Sequence, residues 1–170
     1  MQTAAALGSL ADIHGKDDSW IAAELSRSGR PRKVLDLGCG AGALSNELAK
    51  HGHRVTGLDA SLDHLSVAGR SDVTRKVAYH HGDATRLPYA DGSFDAVCAV
   101  DLLEHVAEPE QVLAEAARVL APRGVFFFET SLLQKNAAWF SRHLPAETHE
   151  LTMFSVGVGM AVKRPFLRAV

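Results

Sequence analysis

The chain has 170 residues, with Lys+Arg 18 against Asp+Glu 20 and a formal net charge of −2. That length suits one domain with a sizeable core, predicted over 1–170, and the charge gives no basic face of the kind that nucleic acid requires. The two cysteines, Cys39 and Cys98, lack the spacing of a disulfide framework or zinc site. No apolar run approaches the length of a membrane span, and no secretory signal is present. We therefore expect a cytoplasmic protein without a nucleic-acid partner.

The first predicted elements are a helix over 19–25, a buried strand over 33–37 and a second helix over 43–50. Glycines in the turn between this strand and this helix permit positive φ and let a ligand approach the backbone. Free N–H groups at the start of the helix would face that ligand. A tight turn can also contain glycines for structural reasons alone. The three glycines are Gly38, Gly40 and Gly42.

A second predicted strand, over 53–59, ends in Asp59, which lies 21 residues after Gly38. An acidic residue at this place in a nucleotide-binding α/β unit bonds the ribose hydroxyls. One residue separates the last two glycines, where the dinucleotide fingerprint has two, which disfavours NAD. Asp36 would repel a pyrophosphate but suits the positive amino group of a methionine moiety. The pattern Asp-x-Gly-x-Gly-x-Gly resembles motif I of the class I S-adenosylmethionine-dependent methyltransferases.

The predicted elements continue in alternation. A helix capped by Ser61 ends near Gly69, and a third strand over 76–81 follows. Asp83, after that strand, either accepts from the exocyclic amine of an adenine or forms an ordinary Asx turn.

Later elements complete a repeating pattern of strand and helix. They are a turn over 87–93, a strand over 94–100, a helix that begins at Pro109, a turn over 121–124 and a strand over 125–128. The alternation predicts an α/β fold, a Rossmann-like doubly wound parallel sheet with ligands over the carboxyl ends of its strands.

Asp101, Glu104 and His105 follow the fourth strand, at the edge where this fold places its chemistry. If the segment turns like the start of a helix, the three side chains share a face and suit a hard divalent ion. The alternative is a solvated loop whose carboxylates cap the helix that begins at Pro109.

Several segments resemble the O-methyltransferases of ubiquinone biosynthesis, from about residue 33 to residue 154. They are motif I, Gly57-Leu58-Asp59, Asp101-Leu-Leu-Glu104-His105-Val106, Phe127-Phe128-Glu-Thr and Leu144-Pro145-x-x-Thr148-His149-Glu150. The resemblance implies that Gly38, Asp59 and Val100 contact S-adenosylmethionine. It also implies that Asp101, Glu104 and His105 hold a divalent ion, magnesium, although the family has Glu at the place of Asp101.

The same resemblance implies methylation of a phenol, catechol or quinol oxygen on an aromatic or prenylated small molecule. We expect His105 or His149 to take the phenolic proton. Residues 33–130 would form the cofactor-binding core and 131–154 the substrate side, where Trp139 and Phe140 cover the substrate or simply pack. Contact with a membrane surface stays open, and the oligomeric state is not predicted.

Two departures from the family leave alternatives open. The segment 87–95 looks more like generic small-molecule methyltransferases, which would suit a nitrogen, carbon or carboxylate acceptor. Members of this fold end in a helix and an antiparallel strand pair, for which 155–170, left unassigned, looks too short. A cofactor-binding module without catalysis is therefore a further reading.

Overall fold

The computed structural model describes residues 19–130, 151–153 and 158–163. Four helices and seven strands form in this part of the chain. They are α1 (Ser19–Ser26), β1 (Lys33–Leu37), α2 (Ala43–Lys50), β2 (Arg54–Asp59), α3 (Leu62–Ser71), β3 (Ala78–His81), β4 (Phe94–Val100), α4 (Pro109–Val119), β5 (Leu120–Thr130), β6 (Leu151–Met153) and β7 (Val158–Lys163). Among the described elements, strands and helices alternate except between the third and fourth strands and among the last three strands.

All seven strands join one sheet in the order β3-β2-β1-β4-β5-β7-β6. The first five are parallel, so the predicted doubly wound parallel sheet is confirmed. The strand order changes direction between β1 and β4, which are neighbours in the sheet but distant in the chain. A crevice at the carboxyl ends of the strands is expected at such a switch point, and it is where this fold holds ligands.

Helices cover both faces of the sheet because the central strands are apolar on both sides. One core joins residues of β1, β4 and β5, such as Leu35, Val97 and Phe126, to Val112 of α4 and its neighbours. The opposite core joins the alternate positions of the same strands to α1 and α2, and it includes Val34, Ala96, Cys98, Phe127, Ile21 and Leu48. The alternation places successive strand residues on opposite faces, which fixes the register.

Element boundaries depart from the sequence prediction where side chains compete with the backbone. Strand β3 begins at Ala78 rather than at residue 76, because the Asp72 carboxylate accepts the N–H of Val77 at 3.0 Å. Helix α3 continues past Gly69 to Ser71, and Ser61 caps it as predicted by accepting from the His64 N–H.

The predicted turn over 121–124 lies inside β5. Phe94 pairs with Leu120, whereas Ala96 pairs with Val125, so the intervening residues of β5 bulge out of the ladder. Arg123, at φ +68°, is the left-handed residue of this bulge. The proline and glycine signals therefore mark an interruption within a strand and not its beginning.

An antiparallel strand pair is present, but it begins before the segment 155–170 that the sequence analysis left unassigned. Strand β7 pairs antiparallel with β5 and with β6, and it occupies part of the segment left unassigned. Trp139, Phe140, His149 and the rest of 131–150 lie outside the described residues, so the prediction of a substrate side over 131–154 stays a prediction. In the part of the chain that the structure describes, no helix has the length and apolarity to cross a membrane.

Candidate functional site at the carboxyl ends of the strands

The glycine turn between β1 and α2 is tied to the end of β2. The N–H groups of Gly38 and Cys39 both donate to the Leu58 carbonyl, at 2.8 and 3.1 Å. Gly38, Gly40 and Gly42 all have positive φ, of +67°, +52° and +83°, as predicted for a turn that needs glycine. Gly42 is the N-cap of α2 and offers no side chain to its first N–H groups, which leaves the start of that helix able to bind a ligand.

The three glycines have different surroundings. A Cβ atom at Gly38 would lie 2.8 Å from Leu102 Cδ1, and one at Gly42 would lie 2.9 Å from Ala68 Cβ and against the Tyr79 hydroxyl. A Cβ atom at Gly40 would meet no atom within 4 Å. Gly38 and Gly42 are therefore needed for packing, while Gly40 presents its backbone to open space.

Asp59 lies beside this open position. Its Oδ2 accepts the N–H of Gly40 at 2.8 Å, and its Oδ1 accepts the N–H of Ser61 at 2.8 Å. His64 Nδ1 lies 3.5 Å from the same Oδ1. The carboxylate thus bridges the glycine turn and the start of α3, and it stands next to the surface that Gly40 leaves free.

Asp36 lies under the turn rather than on it. The residue is 2 % exposed, and its Oδ2 accepts the Ser45 hydroxyl at 2.6 Å. Burial first, and then the charges of Asp36 and Asp59, raise the pKa of the Cys39 thiol in the turn. Cys39 therefore stays protonated, and a thiolate nucleophile is not available there. The structure therefore places the Asp36 carboxylate below the turn, out of direct reach of a ligand on the open side.

Asp83 and Val100 lie at the ends of β3 and β4. Asp83 Oδ1 accepts both the N–H and the hydroxyl of Thr85 at 2.8 Å, which is the Asx turn that the sequence left as an alternative. These hydrogen bonds from Thr85 lower the pKa of Asp83. Val100 is the last residue of β4, is half-buried and pairs with Glu129. Both residues are at the predicted edge, but only Val100 borders the switch point.

The segment 101–105 does not take the predicted helical turn. Asp101 has φ +50°, outside the helical region, and its N–H donates to the Glu129 carbonyl at 3.0 Å. The next turn is a separate one, closed by the His105 N–H on the Leu102 carbonyl at 2.9 Å. The spacing that would place Asp101 on one helix face with Glu104 and His105 is therefore absent.

That difference removes the basis of the metal prediction. Among the residues that the structure describes, no three His, Cys, Asp or Glu side chains come together as metal ligands. Asp101 and His105 are both exposed, and the buried member of the segment is Leu103. The donor set in this arrangement of the described residues does not fit a magnesium ion.

Sequence reasoning missed the residues that support the turn. Leu102 packs on Gly38, Tyr79 packs on Gly42, and Ser45 bonds Asp36. A hydroxyl residue in the first turn of the helix after a glycine motif, such as Ser45, predicts only weakly that its side chain will bond the acidic residue before the turn. The contacts of Leu102 and Tyr79 depend on which strands become neighbours and have no local signature.

Comparison with known proteins identifies the class. The family described as methyltransferase domain matches residues 35–128, which is more than half of the chain, and the chain belongs to that family. Among solved structures, the PH0226 protein from Pyrococcus horikoshii OT3 has a TM-score of 0.62 and 29 % identity, over 89 % of this chain and 78 % of that protein. The [4+2]-cyclase SpnF has a TM-score of 0.60 and 29 % identity, over 66 % of this chain and 43 % of SpnF.

A curated relative gives a narrower comparison. The ubiquinone biosynthesis O-methyltransferase of Sodalis glossinidius (strain morsitans) is 35 % identical over 144 residues, which cover 76 % of this chain. The resemblance drawn from the sequence motifs is thereby confirmed. The aligned part spans 57 % of the relative's own length, so less than two thirds of that protein is compared.

Proposed function

We propose that this chain binds S-adenosylmethionine at the carboxyl ends of β1 and β2 and transfers its methyl group to an oxygen of a phenol, catechol or quinol. One observation carries the cofactor half of this proposal. Gly40 leaves open space over its backbone, and the Asp59 carboxylate lies beside that space, bonded to the Gly40 N–H at 2.8 Å. A carboxylate next to an open glycine turn suits a nucleoside with free ribose hydroxyls.

Each part of the turn has a role in this proposal. Asp59 accepts hydrogen bonds from the ribose hydroxyls, and the N–H groups at the start of α2 face the carboxylate of the methionine part. The buried Asp36 carboxylate favours a cation above the turn, because a charge that is 2 % exposed is screened less than one in open solvent. Val100 borders the site at the end of β4, and Asp83 contributes to its rim.

When bound, S-adenosylmethionine would supply a methyl group whose carbon an oxygen nucleophile can attack, the bond to the positively charged sulfur breaking so that neutral S-adenosylhomocysteine leaves. A phenolic oxygen attacks well only after it loses its proton, and we propose that His105 accepts that proton. His105 is exposed at the edge that follows β4, where a substrate would approach. His149, which lies outside the described residues, stays a second predicted acceptor.

The substrate class rests on the relative named for ubiquinone biosynthesis, at 35 % identity and partial coverage. An aromatic acceptor with a prenyl chain follows from that name alone. The segment 87–95 keeps the alternative of a nitrogen, carbon or carboxylate acceptor. A magnesium requirement has no support in the described residues and is left to the assay.

A second candidate function is use of the cofactor pocket without methyl transfer. The observation that favours it is the likeness to SpnF, a [4+2]-cyclase, at a TM-score similar to that of the other neighbours. One fold hosts unrelated reactions, and a cofactor pocket of this fold is compatible with either use. Strands β6 and β7 form an antiparallel pair, so part of the C-terminal structure whose expected absence also suggested a non-catalytic module is present.

Binding and turnover can be tested separately. We expect calorimetry to show that the wild-type chain binds S-adenosylhomocysteine, and that Asp59→Asn binds it about tenfold or more weakly, because a charge-assisted hydrogen bond contributes about 1.5–3 kcal/mol. Asp63→Asn is the matched control, since Asp63 is exposed in the first turn of α3, and its affinity should stay unchanged. Equal affinity of Asp59→Asn and the wild type would contradict the proposed site.

Turnover needs a labelled methyl donor and a panel of simple and prenylated catechols, with matched amines and carboxylic acids. Label in a catechol ether, whether or not a chelator is present, supports O-methylation without a metal. Loss of turnover on chelation would restore the magnesium prediction. Tight cofactor binding with no labelled product on any acceptor would favour the non-methylating reading.

A further inference from the structure

Tyr79 on β3 lies directly behind the glycine turn. A Cβ atom on Gly57 would come within 2.8 Å of Tyr79 Cδ1, and one on Gly42 would meet the Tyr79 hydroxyl. The ring therefore fills the space that these two glycines leave, and the phenol reaches the start of α2. No step of the proposed reaction uses this side chain.

The half-buried phenol contacts a group of buried polar side chains around the first turn of α2. The Tyr79 hydroxyl donates to Asn46 Oδ1 at 2.9 Å, and Ser45, the residue before Asn46, donates to Asp36 Oδ2 at 2.6 Å. Asn46 is 7 % exposed and Ser45 is fully buried. Buried polar groups of this kind hold one arrangement, because an unpaired donor or acceptor away from water is costly.

The Tyr79 phenol keeps its proton at neutral pH. Burial first, and then the charges of Cys39, Asp72 and Asp36, raise the pKa of Tyr79. Tyr79 therefore stays protonated at neutral pH and keeps its O–H as a donor to Asn46. The bond is not expected to titrate under ordinary assay conditions.

Asn46 links the Tyr79 hydroxyl to the glycine turn through two hydrogen bonds. Its backbone N–H donates to the Gly42 carbonyl at 2.9 Å, while its side chain is held by Tyr79. Gly42 has φ +83°, and a glycine can leave that region at little cost when nothing holds it. Without the phenol hydroxyl, Asn46 loses a partner, space opens beside Gly42, and other turn conformations become accessible.

We propose that Tyr79 is a positioning residue that holds the glycine turn in its cofactor-binding conformation through Asn46 and Gly42. This inference rests on the proposed function, since it concerns the same pocket. The effect belongs to the free protein: once the cofactor is bound, the turn is held by the ligand as well. Loss of the hydroxyl therefore weakens cofactor binding and leaves the rate at saturating cofactor unchanged.

The size of the effect follows from the population of the binding-competent turn. The apparent dissociation constant rises in inverse proportion to that population. If removal of the hydroxyl lowers it to between about one third and one tenth, the dissociation constant for S-adenosylhomocysteine rises about three- to tenfold. A role in stability alone would shift the melting temperature and leave this constant unchanged.

The chain provides a matched control, because its two tyrosines are Tyr79 and Tyr89. Tyr89 is also half-buried, its hydroxyl lies 2.9 Å from His80 Nδ1, and its ring packs edge-on against Phe94. We expect Tyr79→Phe to raise the dissociation constant by calorimetry while kcat stays within about twofold at saturating S-adenosylmethionine. Tyr89→Phe should leave both quantities at their wild-type values.

A double-mutant cycle tests whether Tyr79 acts through Asn46. Asn46→Ala removes the other partner, and the double variant with Tyr79→Phe should bind no more weakly than the weaker single variant, because both remove the same bond. Additive losses, or an unchanged constant in Tyr79→Phe beside normal binding by the wild type, would overturn this inference alone. A wild-type chain that binds no S-adenosylhomocysteine would overturn the proposed function and this inference together.

Discussion

Two alanine substitutions in one turn should separate stability from cofactor binding. Gly40→Ala and Gly42→Ala each place a side chain at positive φ, +52° and +83°. The surroundings differ, because the Gly40 methyl would point into open space while the Gly42 methyl would meet Tyr79 and Ala68. The two variants therefore carry a similar backbone cost and different packing costs.

The magnitudes follow from these contacts. A left-handed alanine costs about 1–2 kcal/mol, which is the whole expected effect of Gly40→Ala on the free energy of unfolding. Gly42→Ala adds overpacking of about 1–3 kcal/mol, since Ala68 Cβ lies only 2.9 Å from the new atom. For a chain of this size, each kcal/mol lowers the melting temperature by about 2–4 °C. We expect roughly 2–8 °C for Gly40→Ala and a clearly larger loss for Gly42→Ala.

Gly40→Ala should affect cofactor affinity more than it affects stability. A methyl group in the space that a ligand must occupy should weaken binding of S-adenosylhomocysteine at least tenfold, or about 1.4 kcal/mol, with little loss of stability. Thermal unfolding and calorimetry on the same preparations measure both quantities. A Gly40→Ala variant that binds as well as the wild type, or melts as low as Gly42→Ala, would refute the reasoning.

Two further predictions concern stability. Burial first, and then the charges of His51 and Arg32, lower the pKa of His53 from its ordinary 6.5. The contribution of neutral His53 to the free energy of unfolding is therefore complete above about pH 6.5 and is lost as the pH falls through the folded-state pKa. Unfolding free energies between about pH 8 and about pH 5 should thus fall more steeply in the wild type than in His53→Gln; parallel profiles would contradict this. Arg118 donates twice to Glu115 at 2.7 Å and also to two carbonyls in the loop before β4, so Arg118→Lys should lose about 1–2 kcal/mol by denaturant unfolding. Lys50→Gln, which breaks an exposed ion pair, should lose at most about 0.5 kcal/mol. Equal losses in the two variants would contradict the role of Arg118 in holding the loop before β4.

The sequence located the candidate site because its signals are local. A buried strand, glycines and a helical stripe follow one another within twenty residues, and Asp59 closes the next strand. Each of these patterns depends on periodicity and on the backbone preference of glycine. The position of the glycine turn and of Asp59 therefore followed without any knowledge of the sheet.

The structure lacks the helical turn that the metal prediction assumed, and the reason is tertiary. That prediction assumed helical φ at Asp101, and the structure has +50° there. Aspartate tolerates the left-handed region better than most residues, and the hydrogen bond from Asp101 N–H to Glu129 on β5 favours it. That partner comes from a neighbouring strand, which the segment itself does not specify.

By itself, the sequence determined the alternation of strands and helices, the parallel sheet and the place of the glycine turn, because hydrophobic period and turn chemistry are written in neighbouring residues. Only the tertiary structure decided that Gly40 faces open space while Gly42 packs on Tyr79, and that Asp36 lies buried on Ser45. These contacts join residues from different strands and helices, and the distance between them is fixed by the strand order and register of the folded sheet.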